Sequence, residues 1–301
     1  MAKRSIMHML DPMSHNSPFD INMALDAGYD VLIPYSNVTL DEVAGLTQDA
    51  IFSRGPKGVK MTGLFIGGRD IGLAMDMLDA AKQAMVPPFE ISVFADPSGA
   101  FTTAAALVAC VERELIANFK QDLAGSTAIV FGGTGPVGLA TAVIAAEQGA
   151  NVTIVDHFSI DIALEYAEEA KRRYGVDLRA TTAASDADKA RLLSHADLVF
   201  CTAKAGIQVL NSSVLADAQQ LKVAGDVNAV PPLGIEGVGV MDFGTPLQHA
   251  TNSTGAVGIG SLAVGNVKYK LQQALLAETL DSDTPVYLDF RNAFNGARKL
   301  V

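Results

Sequence analysis

The chain has 301 residues, 49% of them hydrophobic and 18% charged, a globular composition long enough for one large or two ordinary domains. Its net charge of −11 repels a phosphate backbone over most of the surface, which argues against nucleic acid as the main partner. A small anionic ligand is not excluded, because it responds to its local pocket.

In chain order, Ser5–Leu10, Asp30–Pro34, Gly63–Ile66 and Ile91–Ala95 read as strands. Asp70–Met85 carries Ile71, Met75, Leu78 and Ala81 at helical spacing, and Pro87-Pro88 is expected to end that helix. Thr102–Leu115 reads as an Ala-rich helix that begins just after Asp96–Gly99. Such β/α alternation implies a largely parallel sheet. A polar stretch at Lys120–Gly125 marks a boundary. Beyond it Thr127–Phe131 is a strand, Gly135–Gln148 a helix, Asn151–Val155 a strand and Ile160–Tyr174 an amphipathic helix. A strand at Leu178–Thr182, a helix at Ala187–Leu193 and strands at Asp197–Thr202 and Leu221–Asp226 follow. The last long helix, Ser261–Glu278, comes after a Gly-rich run and is expected to pack back on the first domain.

The expected architecture is therefore α/β with two domains. Residues 1–119 plus 262–301 form an N-terminal α/β domain, residues 120–261 a Rossmann-type parallel sheet, and a cleft lies between them. Cys110 and Cys201 sit in apolar stretches and read as buried free thiols. No apolar stretch is a convincing membrane span, and the start Met1–His8 lacks the apolar core and cleavage site of a secretory leader. The chain reads as cytoplasmic.

Gly133-Thr134-Gly135-Pro136-Val137-Gly138 fits G-x-G-x-x-G. That pattern is weak alone. Here a strand precedes it, a helix follows, and Asn151–Val155 completes a βαβ unit, which is the setting of a dinucleotide-binding turn. The first glycine permits the tight turn, the second lets the backbone approach a pyrophosphate, and the third lets helix and strand sit close. The pyrophosphate would meet the free N–H groups and positive end of the helix. Pro136 suits the first helical turn, where no N–H is needed.

Asp156 ends the second strand, where a carboxylate accepts hydrogen bonds from the adenosine ribose hydroxyls. A turn-capping role is its bland alternative. No Arg or Lys follows immediately, so the chain leans to NAD. His157 is able to meet a phosphate, which keeps NADP open. Two later strand ends, Cys201–Gly206 and Gly225–Gly234, should border the nicotinamide. Thr202, Ala203, Asp226 and Asn228 are the candidates there, with loop capping as the alternative for the polar ones.

Several segments occur together in order: the phosphate turn, the loop Asp226–Gly234, Thr102–Ala106 and Leu262–Leu271, with Asn37–Thr39 and Gly67-Gly68 as landmarks of the first domain. As a set they resemble the NAD(P)-dependent methylene-tetrahydromethanopterin dehydrogenases of methylotrophic bacteria, over essentially the whole chain. The resemblance is to the branch accepting NAD as well as NADP, since Asp156-His157-Phe158 stands where NADP-restricted relatives carry a Gly-Arg-Lys type segment. It implies hydride transfer from the methylene carbon of a pterin substrate to C4 of the nicotinamide, giving the methenyl cation. That step requires neither a general base nor a metal, in keeping with a sequence that has no His-Glu-x-x-His or Cys-x-x-Cys pattern.

The resemblance also makes Lys268 the active-site lysine, with Lys270 as the fallback, in a positioning role. It makes Asp20, Thr102 and Thr103 candidates for binding the pterin, although all three also suit helix capping. It favours a homo-oligomer. The rival readings are a methylene-tetrahydrofolate or shikimate-type dehydrogenase and a non-catalytic NAD(P) sensor. The folate enzymes usually carry a Tyr-x-x-x-Lys that this chain lacks.

Overall fold

The computed structural model describes residues 4–301. The leader reading above rests partly on Met1–Lys3, which lie outside the described residues. The chain divides into two compact units. The first comprises the residues up to Thr102 together with Tyr269–Gly296, and the second comprises Thr103–Lys268 with Ala297–Val301.

The first unit begins β1 (Ile6–Leu10), α1 (Pro18–Asp26), β2 (Val31–Tyr35), α2 (Leu40–Phe52) and a short α3 (Gly55–Val59). It continues through β3 (Thr62–Ile66), α4 (Ile71–Gln83) and β4 (Ser92–Ala95) to the start of α5 (Ala100–Phe119). Its strands are all parallel, in the order β2-β1-β3-β4-β12, where β12 is the short Tyr287–Leu288 near the C-terminus. β3 and β4 are buried along their whole length, as central strands covered on both faces must be. Phe65 and Phe94 meet edge to face in this core, ring centres 5.6 Å apart.

Local chemistry sets the helix starts. Ser17 caps α1 by accepting from Asp20 N, with Pro18 in the first turn. Asp70 caps α4 by accepting from Leu73 N at 2.9 Å. Glu42 accepts from both Thr39 N and Thr39 Oγ1 at 2.8 Å, a reciprocal box that starts α2. The helix expected over Asp70–Met85 ends two residues earlier, at Gln83, capped by Ala84. The chain then turns, with Phe89 N donating to Val86 O at 2.6 Å. Val86, the residue before Pro87, already lies outside the helix, as a following proline favours.

The second unit runs β5 (Thr127–Phe131), α6 (Pro136–Glu147), β6 (Asn151–Asp156), α7 (Ile160–Tyr174), β7 (Arg179–Thr182) and α8 (Asp186–Leu193). Then come β8 (Leu198–Cys201), α9 (Ser212–Ala216), β9 (Val223–Asp226), β10 (Phe243–Pro246), β11 (Val257–Ile259) and α10 (Ser261–Asp281). The strand order is β7-β6-β5-β8-β9-β11-β10, parallel except for the edge strand β10. This is the doubly wound dinucleotide-binding order, which reverses between β5 and β8.

α5 runs unbroken to Phe119, and its residues from Thr103 group with this second sheet. The reason is close packing: Ala104, Ala105, Ala106 and Ala109 are buried, and a Cβ on Gly225 of β9 would lie 2.6 Å from Leu107 Cδ1. Near the C-terminus, after α11 (Phe290–Ala297), Arg298 binds both oxygens of Glu112 on α5 at 2.6 Å each. Along α10, residues through Lys268 belong to the second unit and those from Tyr269 to the first.

Candidate dinucleotide-binding site

β5 delivers the chain into the Gly-rich turn at the reversal point of the second sheet. Gly132, with φ +74°, presses on the end of β8: a Cβ there would sit 2.7 Å from Ala203 N. A Cβ on Gly138 would collide with Gly132 O and lie 2.7 Å from Thr202 Oγ1. Both positions therefore need glycine for space. Thr202 fixes the turn from the other side, donating its hydroxyl to Phe131 O at 2.8 Å.

Gly135 is the N-cap of α6 and Pro136 enters its first turn. Leu139 N donates back to Gly135 O at 2.8 Å. The N–H groups of Val137 and Gly138 precede that first intrahelical bond, so helix geometry gives them no acceptor within α6. They stand at the positive end of the helix, beside a glycine whose Cβ would meet only Gly132 O, at 3.4 Å. The turn suits a pyrophosphate in its chemistry: it offers amide donors at the positive end of a helix, beside a glycine with no side chain in the way.

Asp156, half-buried at the end of β6, accepts three hydrogen bonds. Oδ1 takes Phe158 N at 2.8 Å and Ser159 N at 2.9 Å, and Oδ2 takes the Thr134 hydroxyl at 2.7 Å. Burial alone would raise its pKa, but these donors together with the nearby His157 outweigh burial and hold it below the ordinary carboxylate value. Thus Asp156 performs the turn-capping role and still faces the phosphate turn through Thr134. His157 packs against Phe158, ring centres 4.5 Å apart, and Phe158 is 90% exposed. Ser159, not Asp156, caps α7.

At the next strand ends, Asp226 and Asn228 are buried and committed to their own loop. Asp226 accepts from Asn228 N at 2.9 Å and Ile235 N at 3.1 Å. Asn228 Oδ1 accepts from Gly206 N and Val230 N, and its Nδ2 donates to Pro232 O. Burial raises the Asp226 pKa against those donors, and burial with the Asp226 charge pushes the Cys201 thiol well up, so Cys201 stays protonated. Thr202 and Ala203 line the turn, while Asp226 and Asn228 hold the neighbouring loop in shape.

In the first unit, Asp20 is buried at the third position of α1 and accepts from Gln272 Nε2 at 2.7 Å. Thr102 is fully buried and donates its hydroxyl to Asp96 Oδ2 at 2.6 Å, so it anchors the start of α5, whereas Thr103 is half-buried. Lys268 is half-buried and Lys270 exposed. Gln272 lies four residues beyond Lys268, on the same face of α10. Gln272 carries no motif of its own, and that spacing is its signal in the sequence. Asp11, likewise without a motif, stands at the reversal point between β1 and β3. Asp11 accepts from Met13 N at 2.8 Å and from Gly68 N, and burial raises its pKa. Beside it Ser98 holds a left-handed φ of 52° and donates to Gly68 O at 2.7 Å, strained backbone of the kind that gathers at ligand sites. Among the described residues, no group of three or more His, Cys, Asp or Glu is placed to hold a metal ion.

The sequence profile described as methylene-tetrahydromethanopterin dehydrogenase, N-terminal, matches residues 18–98. The chain is 47% identical, over 99% of its own length and 99% of the relative's, to the NAD(P)-dependent methylenetetrahydromethanopterin dehydrogenase of Methylorubrum extorquens strain AM1. Among solved structures, shikimate 5-dehydrogenase from Listeria monocytogenes superposes with a TM-score of 0.51 at 12% identity, covering 92% of this chain and 91% of that one. Ligand-free 5-ketofructose reductase of Gluconobacter sp. strain CHM43 gives 0.50 at 14% identity, covering 99% of each chain. These two likenesses speak for the fold alone.

Proposed function

Because the chain belongs to the NAD(P)-dependent methylenetetrahydromethanopterin dehydrogenases, we propose that it oxidises methylene-tetrahydromethanopterin to the methenyl form, in the oxidation of one-carbon units. The observation that carries the cofactor half is the glycine cradle at the N-terminus of α6, with the ionised Asp156 beside it. When bound, the nicotinamide supplies the hydride acceptor. The chain's own residues bind, orient and exclude water.

In this reading the amides of Val137 and Gly138 take the pyrophosphate, and Gly133, Thr134, Gly135 and Pro136 shape its turn. Asp156 accepts from the adenosine ribose, which favours NAD, while His157 stands where NADP would bring its phosphate. Thr202 and Ala203 border the nicotinamide, and Asp226 and Asn228 keep the adjoining loop rigid. Lys268 positions the pterin. Asp20 and Thr103 contribute polar contacts to it, and Thr102 supports them from the buried start of α5. The switch-point carboxylate Asp11 suits the adjacent N–H donors of a 2-amino-4-oxopyrimidine ring, which a carboxylate accepts in pairs. No metal enters the scheme.

We place the working enzyme in the cytoplasm as a homo-oligomer. No helix among the described residues is long and apolar enough to cross a membrane. Phe19, Leu25 and Phe52 of the first unit are exposed apolar surface that self-association would cover. Absorbance at 340 nm, followed with methylene-tetrahydromethanopterin and each dinucleotide, tests the reaction. Turnover with this pterin is expected. Turnover only with the tetrahydrofolate analogue, or none with either, would overturn the reading.

A further inference from the structure

We infer that Thr134 sets the balance between NAD and NADP, by occupying part of the acceptor capacity of Asp156. This rests on the reading of the Gly-rich turn as the dinucleotide site. A carboxylate offers about four lone-pair directions, two on each oxygen. Here both directions on Asp156 Oδ1 are taken by the amides of Phe158 and Ser159. On Oδ2 one is taken by the Thr134 hydroxyl at 2.7 Å, leaving a single open direction.

The adenosine ribose of NAD brings two hydroxyl donors. An unencumbered carboxylate accepts both, but Asp156 with Thr134 in place accepts one. Part of the usual preference for NAD is thereby withheld. NADP replaces the 2′-hydroxyl with a phosphate, which has no donor for Asp156 and carries nearly two negative charges. The Thr134 hydroxyl rotates freely about its C–O bond, so it is able to leave Oδ2 and donate to that phosphate. One hydroxyl thus weakens the contact that favours NAD and offers a donor to the group that distinguishes NADP.

Thr134→Val keeps the branched shape and deletes the hydroxyl. Relative to the unmodified enzyme, its kcat/KM for NAD over that for NADP should rise about fivefold, with NADH and NADPH affinities, titrated through nucleotide fluorescence, moving in the same sense. Thr134→Ser retains the hydroxyl and should keep the original ratio; Thr134→Ala serves as a second deletion if the valine variant does not fold. An unchanged ratio in the deletion variants, or a shift toward NADP, overturns the role of Thr134 while leaving the dinucleotide site standing. Failure of the unmodified protein to bind either dinucleotide overturns the role and the site together.

Discussion

Both sheets are doubly wound, and the parallel strands of each reverse their order at one place, yet the two reversal points are chemically opposite. Between β5 and β8 the chain passes from strand to helix through Gly132–Gly135 alone, which brings the first amides of α6 to the strand end. Between β1 and β3, seven residues from Asp11 to Ser17 separate strand from helix. There Ser17 already caps α1, and the group at the crevice is the carboxylate of Asp11. Topology chooses where a ligand settles, because strand ends diverge at a reversal. The turns then differ in chemistry: amides at a helix N-terminus suit an anion, and a carboxylate suits a donor.

The largest effect is expected from Gly138→Ala. Its methyl group would be driven into Gly132 O, a main-chain atom that cannot swing aside. The turn must shift, and displacement on the scale of an ångström costs about a hundredfold in kcat/KM. Weakened NADH binding should accompany the loss, and near-normal binding would mean that the cradle is not where the pyrophosphate rests. Lys268→Ala separates the two functions in the opposite direction. Turnover should fall on the order of tenfold to a hundredfold, with the dissociation constant for NADH nearly unchanged; near-normal turnover would show that another residue fills this role.

Asp156→Ser should lower kcat/KM for NAD about tenfold relative to NADP. A ratio that does not move would remove Asp156 from ribose recognition. The same residue makes a pH prediction. Its folded pKa lies below the ordinary 3.8, so it is ionised throughout the neutral range. Protonation, which would remove an acceptor and weaken NAD, is confined to acid pH. The affinity for NAD should therefore show no Asp156-linked change between about pH 5 and pH 8, and isothermal titration across that range checks it. The smallest effect is expected at the other reversal point: Asp11→Asn should raise the pterin KM about fivefold and leave the NAD KM in place. A matching rise in both would mean that Asp11 only supports the fold.

Much of the second unit was legible because its elements are periodic and its turns are punctuated by glycine. Thr127–Phe131 and Ile160–Tyr174 fall where the pattern places them. Elements escaped for three different reasons. β12 has two residues and α9 five, too few to show a period. α2, in contrast, carried a readable Thr39–Glu42 capping box that hydrophobic periodicity alone did not bring out. β10 pairs antiparallel at the sheet edge and includes Gly244 and Pro246, residue types that seldom occur in a strand.

By itself the sequence determined that this chain winds parallel sheets and carries a glycine-rich turn between strand and helix, because strand–turn–helix chemistry is local. It also placed a carboxylate at the end of β6. Only the tertiary structure decided what that carboxylate does, since Thr134 lies 22 residues from Asp156 and their bond forms only once β5 and β6 pair. Likewise Asp226 and Asn228, polar candidates in the sequence, become the ties of a buried loop, because leaving a buried carboxylate or amide without partners is costly. Local chemistry names the ligand class, and long-range packing settles which polar atoms remain to meet it.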